Sequence, residues 1–340
     1  NYTYAPPYRP KHGSSGFDQM DRVLVTRTVV VGAATLGLSA LAVSAMTLWQ
    51  RFNSTKRRRA ASDRPRDPPP VQGGKKGVGL ARGKPGNKVA REGEFTRHRG
   101  GWEQRVAALR PSWFYTWGPR LPDTAPEGVE FVPMVFSGGG DVEKVRDRMK
   151  HIKELHEAGK IRAVLGFNEP DGKAQANMTV KRAVELWPEL HKEGLALGSP
   201  AAIKATRPWM REFMAECEKR DHRVDFVTVH WYAGLNVDAL VRHLHEVHDL
   251  YGRPIWITEF GVADYQAKDC HSGRFRPEQV QAFMRKVLPA LDALEFVHRY
   301  AWFCFDETSR VGSCSALFHA DNSLTELGKI YAAHQSTPST

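Results

Sequence analysis

From residue 77 onward the chain alternates short apolar runs with longer amphipathic stretches, and no other feature limits its fold as much. The eight apolar runs span residues 77–81, 112–117, 130–136, 162–167, 195–200, 224–232, 254–260 and 295–305. A run that is apolar along its whole length is typical of a parallel strand with both faces buried. The intervening stretches repeat apolar residues every three or four positions, most clearly at Val142, Val145, Met149, Ile152 and Leu155. The pattern predicts an α/β fold in which helices cover a parallel sheet.

The number of runs distinguishes two arrangements of such a sheet. Eight strand–helix units close into a (β/α)8 TIM barrel, and we predict one over residues 77–335. We expect its further helices near residues 179–193, 207–220, 236–251, 277–292 and 323–334, and no helix between the second and third strands. The alternative, an open doubly wound sheet, usually carries a G-x-G-x-x-G loop before its first helix. The first run is followed by ARGKPG, which does not match that loop.

Three segments of different composition precede the predicted barrel. Residues 1–22 are rich in Tyr, Pro and Gly without an apolar period, which predicts a disordered tail. Residues 23–50 contain 22 consecutive uncharged positions, 28–49, which is long enough to cross a bilayer. We interpret this segment as a transmembrane anchor or as a signal segment with a cleavage site near Ala45. Residues 51–76 are basic and rich in proline, as linkers are.

The basic excess of the chain is concentrated in its N-terminal part. The net charge of +11 divides into 21 Lys/Arg against 7 Asp/Glu over residues 1–110, and 28 against 31 over residues 111–340. The predicted barrel is therefore nearly neutral, and since no nucleic-acid-binding motif is present, we expect no nucleic-acid partner. A membrane is the partner expected for residues 28–49, and the basic run 56–59 is suited to contact with anionic headgroups.

Two glutamates end strands on different sides of the predicted barrel. Active sites of such barrels lie at the carboxyl ends of the strands, where Glu169 ends the fourth strand and Glu259 ends the seventh. Glycoside hydrolysis requires a pair of carboxyl groups, one as the acid and the other as nucleophile or base. A separation of roughly 5–5.5 Å indicates a retaining mechanism and roughly 6.5–9.5 Å an inverting one. Taken singly, Glu169 is also consistent with turn chemistry and Glu259 with a buried ion pair.

Aromatic and polar residues at other strand ends fit a sugar substrate. Flat aromatic side chains pack against the apolar faces of sugar rings, and the predicted candidates are Trp117, Trp231, Tyr232 and Trp302. Asn168 is placed to hold a 2-hydroxyl group, and His230 to bond a hydroxyl or to tune a carboxylate. Trp302 lies in an apolar strand, so a core position is equally consistent, and a lone histidine such as His230 is often structural.

The sequence contains few features typical of a metal or cofactor site. The 14 histidines include no H-E-x-x-H, and the four cysteines include no C-x-x-C pair. His243, His245 and His248 fall on a predicted amphipathic helix, where a solvated or partly buried face is the simpler interpretation. We therefore expect no metal and no cofactor. Cys270 and Cys314 lie in polar segments and are candidates for a disulfide if the domain is outside the cell.

Six short motifs together resemble glycoside hydrolase family 128, within a large clan of retaining (β/α)8 enzymes. They occur in the family's order at residues 115–119 (YTWGP), 165–171 (LGFNEPD), 198–200 (GSP), 229–232 (VHWY), 256–261 (WITEFG) and 300–303 (YAWF). The resemblance spans about residues 77–333. The long basic loop 82–99 and the N-terminal segment are not features that the family supplies.

The resemblance implies roles for individual residues. Glu169 corresponds to the acid/base, Glu259 to the nucleophile, and Asn168 to a residue that holds the substrate near the reacting ring. His230, Tyr232 and Trp302 are implied to shape the same subsite. Members of the family act on β-1,3-glucans by endo or exo cleavage, and some mainly bind oligosaccharides. The chain is therefore expected to be a retaining β-1,3-glucanase, with a non-hydrolytic glucan-binding protein as the alternative.

The expected location follows from the substrate rather than from the charges. Wall glucans lie outside the plasma membrane, so we expect the secretory route and an anchored or secreted product at the cell surface. The basic residues that follow the apolar segment favour the opposite orientation under the positive-inside rule. The sequence Asn177-Met-Thr179 matches the N-glycosylation pattern, although such matches arise often by chance.

Overall fold

The structure is a computed structural model that describes residues 73–80, 101–139 and 141–338. The predicted tail 1–22, the apolar segment 23–50, most of the linker 51–76 and the basic loop 82–99 lie outside the described residues. Within the described residues, no helix is both long enough and apolar enough to cross a bilayer.

Strands and helices alternate along the described chain as the sequence pattern predicts. The strands are β1 Lys76–Gly79, β2 Trp113–Tyr115, β3 Glu130–Phe131, β4 Ala163–Val164, β5 Ala196–Leu197, β6 Val227–Ala233, β7 Ile255–Val262 and β8 Val297–Phe303. The helices are α1 Trp102–Leu109, α2 Val142–Glu157, α3 Val180–Leu186, α4 Pro208–Lys219, α5 Val237–Tyr251, α6 Pro277–Asp292 and α7 Glu326–Ala333. A 3-10 turn, Trp187–Leu190, extends α3, and a second one, Ser313–Ser315, follows β8. Helix α1 has no counterpart among the predicted helices, while the β2–β3 connection lacks a helix as expected.

The strands form a closed ring of parallel neighbours. Six of them pair in the order β3-β2-β1-β8-β7-β6, and β4 pairs with β5. Two single parallel bridges join these groups, Met134 to Leu165 and Gly198 to Phe226. Each strand therefore pairs with its neighbours in sequence, and β8 pairs with β1. This closure confirms a parallel α/β fold with the connectivity of the predicted barrel and leaves no open edge between the described strands.

Alternation along the strands separates an inner core from an outer one. The inner core fills the barrel with residues such as Trp113, Tyr115, Phe226, Trp256 and Ala301. The residues between these positions point outward and pack against the helices in a larger second core. Below the inner core the Arg299 guanidinium lies 4.3 Å from the Trp256 ring centroid and pairs with Glu130. This alternation decides which strand-end residues face the mouth of the barrel.

Strand β7 breaks the alternation with one extra residue. Val229 of β6 pairs with Ile257, and the next residue, His230, pairs with Glu259. Thr258 is therefore not paired with any residue of β6. The register with β8 shifts over the same stretch of β7. A β-bulge of this kind inverts the inward–outward order of every later residue. Glu259 consequently points into the barrel, and Phe260 packs outward against the helices.

Candidate active site

Glu169 lies just beyond β4, where the backbone turns sharply. Asn168 N–H donates to Phe136 O at 2.9 Å and Glu169 N–H donates to Ala201 O at 2.7 Å, which hold this turn against its neighbouring strands. The φ angle of Glu169 is +40°, in the left-handed region that non-glycine residues rarely adopt. Such a conformation costs about 1–3 kcal/mol and concentrates at functional sites. The Glu169 side chain is buried at the mouth of the barrel.

Hydrogen-bond donors surround the buried carboxylate of Glu259. Trp117 Nε1–H donates to Oε1 at 2.8 Å, and the Tyr232 hydroxyl donates to Oε2 at 2.5 Å. The Tyr115 hydroxyl lies 3.5 Å from Oε1 while it also donates to Thr258 O at 2.9 Å. Donors to both oxygens stabilise the ionised carboxylate and fix its orientation. The arrangement suits a carboxylate that acts as an anion.

His230 bridges the two glutamates. Its Nδ1 lies 3.0 Å from Glu169 Oε1 and 3.5 Å from Glu259 Oε2. One carboxylate oxygen of each glutamate and a ring nitrogen of His230 all lie within 4.8 Å of one another. One oxygen of each carboxyl group therefore lies within 4.8 Å of the other, which is consistent with the roughly 5–5.5 Å separation of retaining glycosidases rather than the roughly 6.5–9.5 Å of inverting ones.

The surroundings raise the pKa of both Glu169 and His230. Burial raises the pKa of Glu169, the negative charges of Glu259 and Asp171 add to the rise, and the hydrogen bond from His230 opposes it. Burial alone would lower the pKa of His230, but the charges of Glu259, Glu169 and Asp171 outweigh burial and raise it. Glu169 is thus biased toward its protonated form, which a general acid requires.

Three buried polar atoms of the site have no hydrogen-bond partner among the described residues. They are Asn168 Oδ1, Glu169 Oε2 and His230 Nε2. Leaving a buried polar atom unpaired costs about 1–3 kcal/mol, so these atoms are expected to be satisfied by a ligand or by water. A ligand rich in hydroxyl groups offers donors and acceptors to all three.

The same three residues also have the composition of a metal site. Two carboxylates and one imidazole within 4.8 Å of one another can hold a divalent cation. Against this use, His230 Nδ1 is within hydrogen-bond distance of Glu169, and both oxygens of Glu259 already accept hydrogen bonds from Trp117 and Tyr232. The hydrogen-bonded arrangement satisfies the ring nitrogen and Glu259 without a cation.

Trp302 is not where the sequence analysis expected it. Alternation along β8 turns Arg299, Ala301 and Phe303 inward, so Trp302 points outward to the helices. Its ring is fully buried, its Nε1–H donates to Ser315 O at 3.0 Å, and it packs edge-on against Phe260. Trp302 is therefore a core residue, and its expected role in substrate binding is wrong.

The other predicted aromatic residues divide between the two faces of the sheet. Trp231 lies on the helix-facing side of β6, where its ring packs 5.0 Å from the His243 ring, so it too lies away from the mouth. Tyr232 and Trp117 do reach the mouth and are partly exposed. Trp117, with a φ of +56°, contacts Glu259 through its indole N–H.

Two residues near the carboxylates, Phe303 and Tyr265, were not predicted from the sequence. Phe303 packs 5.3 Å from the Tyr232 ring and 4.8 Å from Phe305. Tyr265 follows β7, and its pKa is raised by burial and by the negative charges of Glu169 and Glu259. Phe303 could have been predicted from the inward–outward alternation of side chains along β8. Tyr265 lies in a loop, so no periodicity in the sequence predicts its position.

The cysteines do not form the disulfide considered from the sequence. All four have free thiols, including Cys270 and Cys314. The segments that carry these two do contact each other, because Ser313 Oγ donates to Cys270 O at 2.7 Å.

Comparisons with known proteins agree with this geometry. The family described as "Glycosyl hydrolase catalytic core" matches residues 98–331. A curated relative, alkali-sensitive linkage protein 1 of Schizosaccharomyces pombe, is 27% identical over 239 residues, which are 65% of this chain. The chain spans only 40% of the length of that relative.

Solved structures extend the likeness to three dimensions. A subgroup I endo-β-1,3-glucanase of glycoside hydrolase family 128 from Amycolatopsis mediterranei, a glutamate-to-glutamine mutant in complex with laminarihexaose, is 30% identical with a TM-score of 0.62. The match covers 77% of this chain and 100% of that one. A subgroup III curdlan-specific exo-β-1,3-glucanase of the same family from Blastomyces gilchristii is 27% identical with a TM-score of 0.56, over 76% of this chain and 98% of that one.

Proposed function

The chain belongs to glycoside hydrolase family 128, and from this membership we propose that it hydrolyses β-1,3-glucan with retention of anomeric configuration. The observation that carries the proposal is the pair Glu169 and Glu259, which lie within 4.8 Å of each other in contrasting environments. The pKa of Glu169 is raised by burial. Glu259 accepts hydrogen bonds from Trp117 and Tyr232. Two carboxyl groups that differ in this way supply an acid and a nucleophile.

In the first step, Glu169 donates its proton to the glycosidic oxygen as the bond to the anomeric carbon breaks. Glu259 attacks that carbon from the opposite face and forms a covalent glycosyl-enzyme, while the leaving chain departs with the proton. In the second step, the Glu169 carboxylate removes a proton from water, which displaces Glu259 and releases a product of retained configuration. A short separation of the two carboxyl groups favours direct attack by Glu259 over attack by a water held between them.

His230 is suited to adjust Glu169 between the two steps. Its Nδ1 lies 3.0 Å from Glu169 Oε1, a position from which it can stabilise the carboxylate that forms when the proton leaves. Its unpaired Nε2 is available to a substrate hydroxyl. Asn168, whose Oδ1 is also unpaired, is the proposed contact for the hydroxyl next to the reacting carbon.

Aromatic side chains at the mouth are the proposed binding surface for glucose rings. Tyr232, Phe303 and Phe305 pack against one another with ring centroids 4.8–5.7 Å apart. Aromatic rings pack against the C–H faces of pyranose rings and orient the chain across the carboxylates. Both solved relatives act on β-1,3-glucan according to their descriptions, one as an endo-enzyme and the other as an exo-enzyme. The β-1,3 linkage is proposed from the similarity to these two relatives, and the lengths of the released products distinguish endo from exo cleavage.

The test is hydrolysis of a soluble β-1,3-glucan by the wild type, Glu169→Gln and Glu259→Gln. The account predicts reducing-sugar release by the wild type and its loss in both variants, while circular dichroism shows that they remain folded. Full activity in both variants would show the assignment to be wrong. Glucan binding by the wild type without any product would instead support an oligosaccharide-binding protein. Loss of wild-type activity in a chelator would indicate a metal at Glu169, His230 and Glu259.

We further propose that the protein enters the secretory route and acts at the cell surface, anchored or released. The support is chemical, since polymeric wall glucans lie outside the plasma membrane. Residues 28–49, the proposed anchor or signal, lie outside the described residues, and the basic residues after them favour the other orientation.

A further inference from the structure

One loop at the mouth of the barrel carries a sequence that the proposed catalysis does not use. Asn177-Met-Thr179 lies between β4 and α3 and fits the acceptor pattern Asn-X-Thr, with no proline at X. Of the three such sequences in the chain, those at Asn1 and Asn53 lie outside the described residues. Asn177 can therefore be judged on its surroundings as well as on its sequence.

The backbone projects Asn177 from the tip of this loop. Its neighbours are held inward, because Ala176 N–H donates to Asn168 O at 3.2 Å and Met178 N–H donates to Pro170 O at 2.7 Å. Both neighbouring side chains are buried, whereas Asn177 is exposed. Its φ of +47° is a conformation that asparagine tolerates better than most residues. Among the described residues, none forms a hydrogen bond with the Asn177 side chain, so its amide is free for modification.

Thr179 is compatible with the same use. Its side chain is exposed and its Oγ1 accepts a hydrogen bond from Arg182 N–H at 3.2 Å, which caps the N-terminus of α3. The hydroxyl acts there as an acceptor, and both Asn177 and Thr179 are exposed while only Met178 between them is buried. A glycan attached before folding would therefore remain outside the folded barrel and would not oppose the closure of the loop.

We propose that Asn177 carries an N-linked glycan. The oligosaccharide is supplied by a lipid-diphosphate-linked donor. A bond forms between Asn177 Nδ2 and the anomeric carbon of the first N-acetylglucosamine, the bond from that carbon to the phosphate oxygen breaks, and the amide loses one proton. The released lipid diphosphate is the leaving group, and no oxidation or reduction occurs.

The proposal fixes the side of the membrane that the barrel occupies. N-glycosylation takes place in the lumen of the secretory pathway, so a modified Asn177 places the barrel there against the positive-inside rule. Asn1 precedes the apolar segment 28–49, whereas Asn53 and Asn177 follow it. Modification of Asn1 alone is the pattern that the opposite orientation would give.

The test uses the full chain with a C-terminal affinity tag, expressed in a eukaryotic host. The purified protein is treated with peptide N-glycosidase in ¹⁸O-water, which converts a glycosylated asparagine into an ¹⁸O-labelled aspartate, and is then digested with trypsin. The proposal predicts label in the peptide that spans residues 174–181. It also predicts a faster-migrating band for Asn177→Asp, a substitution that tolerates the same backbone angle.

Thr179→Ser is the matched control, since serine preserves both the acceptor sequence and the helix cap, and this variant should keep the label. Thr179→Ala should lose it. An unlabelled 174–181 peptide from the folded wild-type protein overturns the proposal, whether or not Asn1 or Asn53 is labelled.

Discussion

At the scale of single residues, the site depends on side chains whose backbone adopts an unfavourable conformation. Glu169 and Trp117 both have positive φ angles, +40° and +56°. Each angle costs about 1–3 kcal/mol that the surrounding structure must offset. Both residues contact the same small group of atoms, because Trp117 donates to Glu259 and Glu169 accepts from His230. Two of the described non-glycine residues with a positive φ therefore take part in the proposed chemistry.

Trp117→Phe tests whether this residue positions the nucleophile. The variant keeps a ring but loses the N–H that donates to Glu259 Oε1. A hydrogen bond to a charged group contributes about 1.5–3 kcal/mol, so kcat/KM should fall roughly 10- to 150-fold. The loss should appear in kcat and persist with an aryl glucoside whose leaving group needs no acid. Trp209→Phe, which loses a hydrogen bond to Met178 O, should leave both constants unchanged. A raised KM with normal kcat would show that Trp117 binds sugar instead.

His230→Gln tests the environment of the acid. Burial raises the pKa of Glu169, and the hydrogen bond from His230 holds it lower than burial alone would. Removing the imidazole should therefore raise the pKa further and keep Glu169 protonated to higher pH. The alkaline limb of the kcat/KM profile should move upward in pH. His248→Gln, which changes a helix residue bonded to Arg253 O, serves as control. A downward shift in His230→Gln would contradict the assigned hydrogen bond.

At the scale of elements, the interior of the barrel is fitted to two glycines of β1. Gly77 and Gly79 face the aromatic side chains of β2, and a Cβ at Gly77 would lie 2.1 Å from Cε2 of the Trp113 ring. Trp113 is fully buried and packs 5.7 Å from Trp256, so it has little room to move. The two small residues therefore make space for the large rings opposite them.

Gly77→Ala should consequently destabilise the fold. Overpacking a buried position costs about 1–3 kcal/mol, and the free energy of unfolding measured in urea should fall by at least that amount. Gly273→Ala is the matched control, since a Cβ there meets no atom within 4 Å. Equal stability of the two variants would show that the barrel interior can relax around an added methyl group.

The sequence analysis predicted these elements well and their side-chain directions less well. The hydrophobic periodicity predicted all eight strands and the helices after β2. The strand ends pointed to Glu169 and Glu259, which the fold brings close together. Two errors came from direction within a strand, because Trp302 and Trp231 are one residue away from the inward positions. The bulge at Thr258 cannot be recognised in the sequence, because the run around it is apolar. This bulge alone turns Glu259 inward. Tyr265 reaches the site through a loop, whose path depends on tertiary contacts.

At the scale of the whole molecule, the ring is closed where the first and last elements meet. β1 pairs with β8. Lys75, directly before β1, and Lys76, the first residue of β1, bind the ends of the last two helices. Lys75 Nζ donates to Asp292 O and Leu294 O at 2.9 and 3.0 Å, at the end of α6. Lys76 Nζ donates to Tyr331 O and His334 O at 2.9 and 2.6 Å, at the end of α7. These cations bind carbonyl groups at or just beyond the C-terminal ends of two helices, where intrahelical donors are lacking.

Lys76→Met should weaken this closure. The substitution keeps an unbranched side chain but leaves buried carbonyls of α7 unpaired, so the free energy of unfolding should fall by about 1.5–3 kcal/mol. Lys329→Met on the same helix removes only an exposed pair with Glu326 and should change stability little. Thermal and urea unfolding of both variants provide the measurement. A loss at Lys329 as large as that at Lys76 would show that the buried contacts are not the cause.

The central claim is that Glu259 forms a covalent glycosyl-enzyme with Glu169 as its acid partner. The most direct measurement is to incubate the protein with a 2-deoxy-2-fluoro-β-laminaribiosyl fluoride, which forms the intermediate but hydrolyses it slowly, and to locate the added mass by tandem mass spectrometry. The account predicts one adduct per chain, on Glu259, absent from Glu259→Gln and formed by Glu169→Gln because fluoride needs no acid to leave. An adduct on another residue, or none in a protein that hydrolyses β-1,3-glucan, would contradict it.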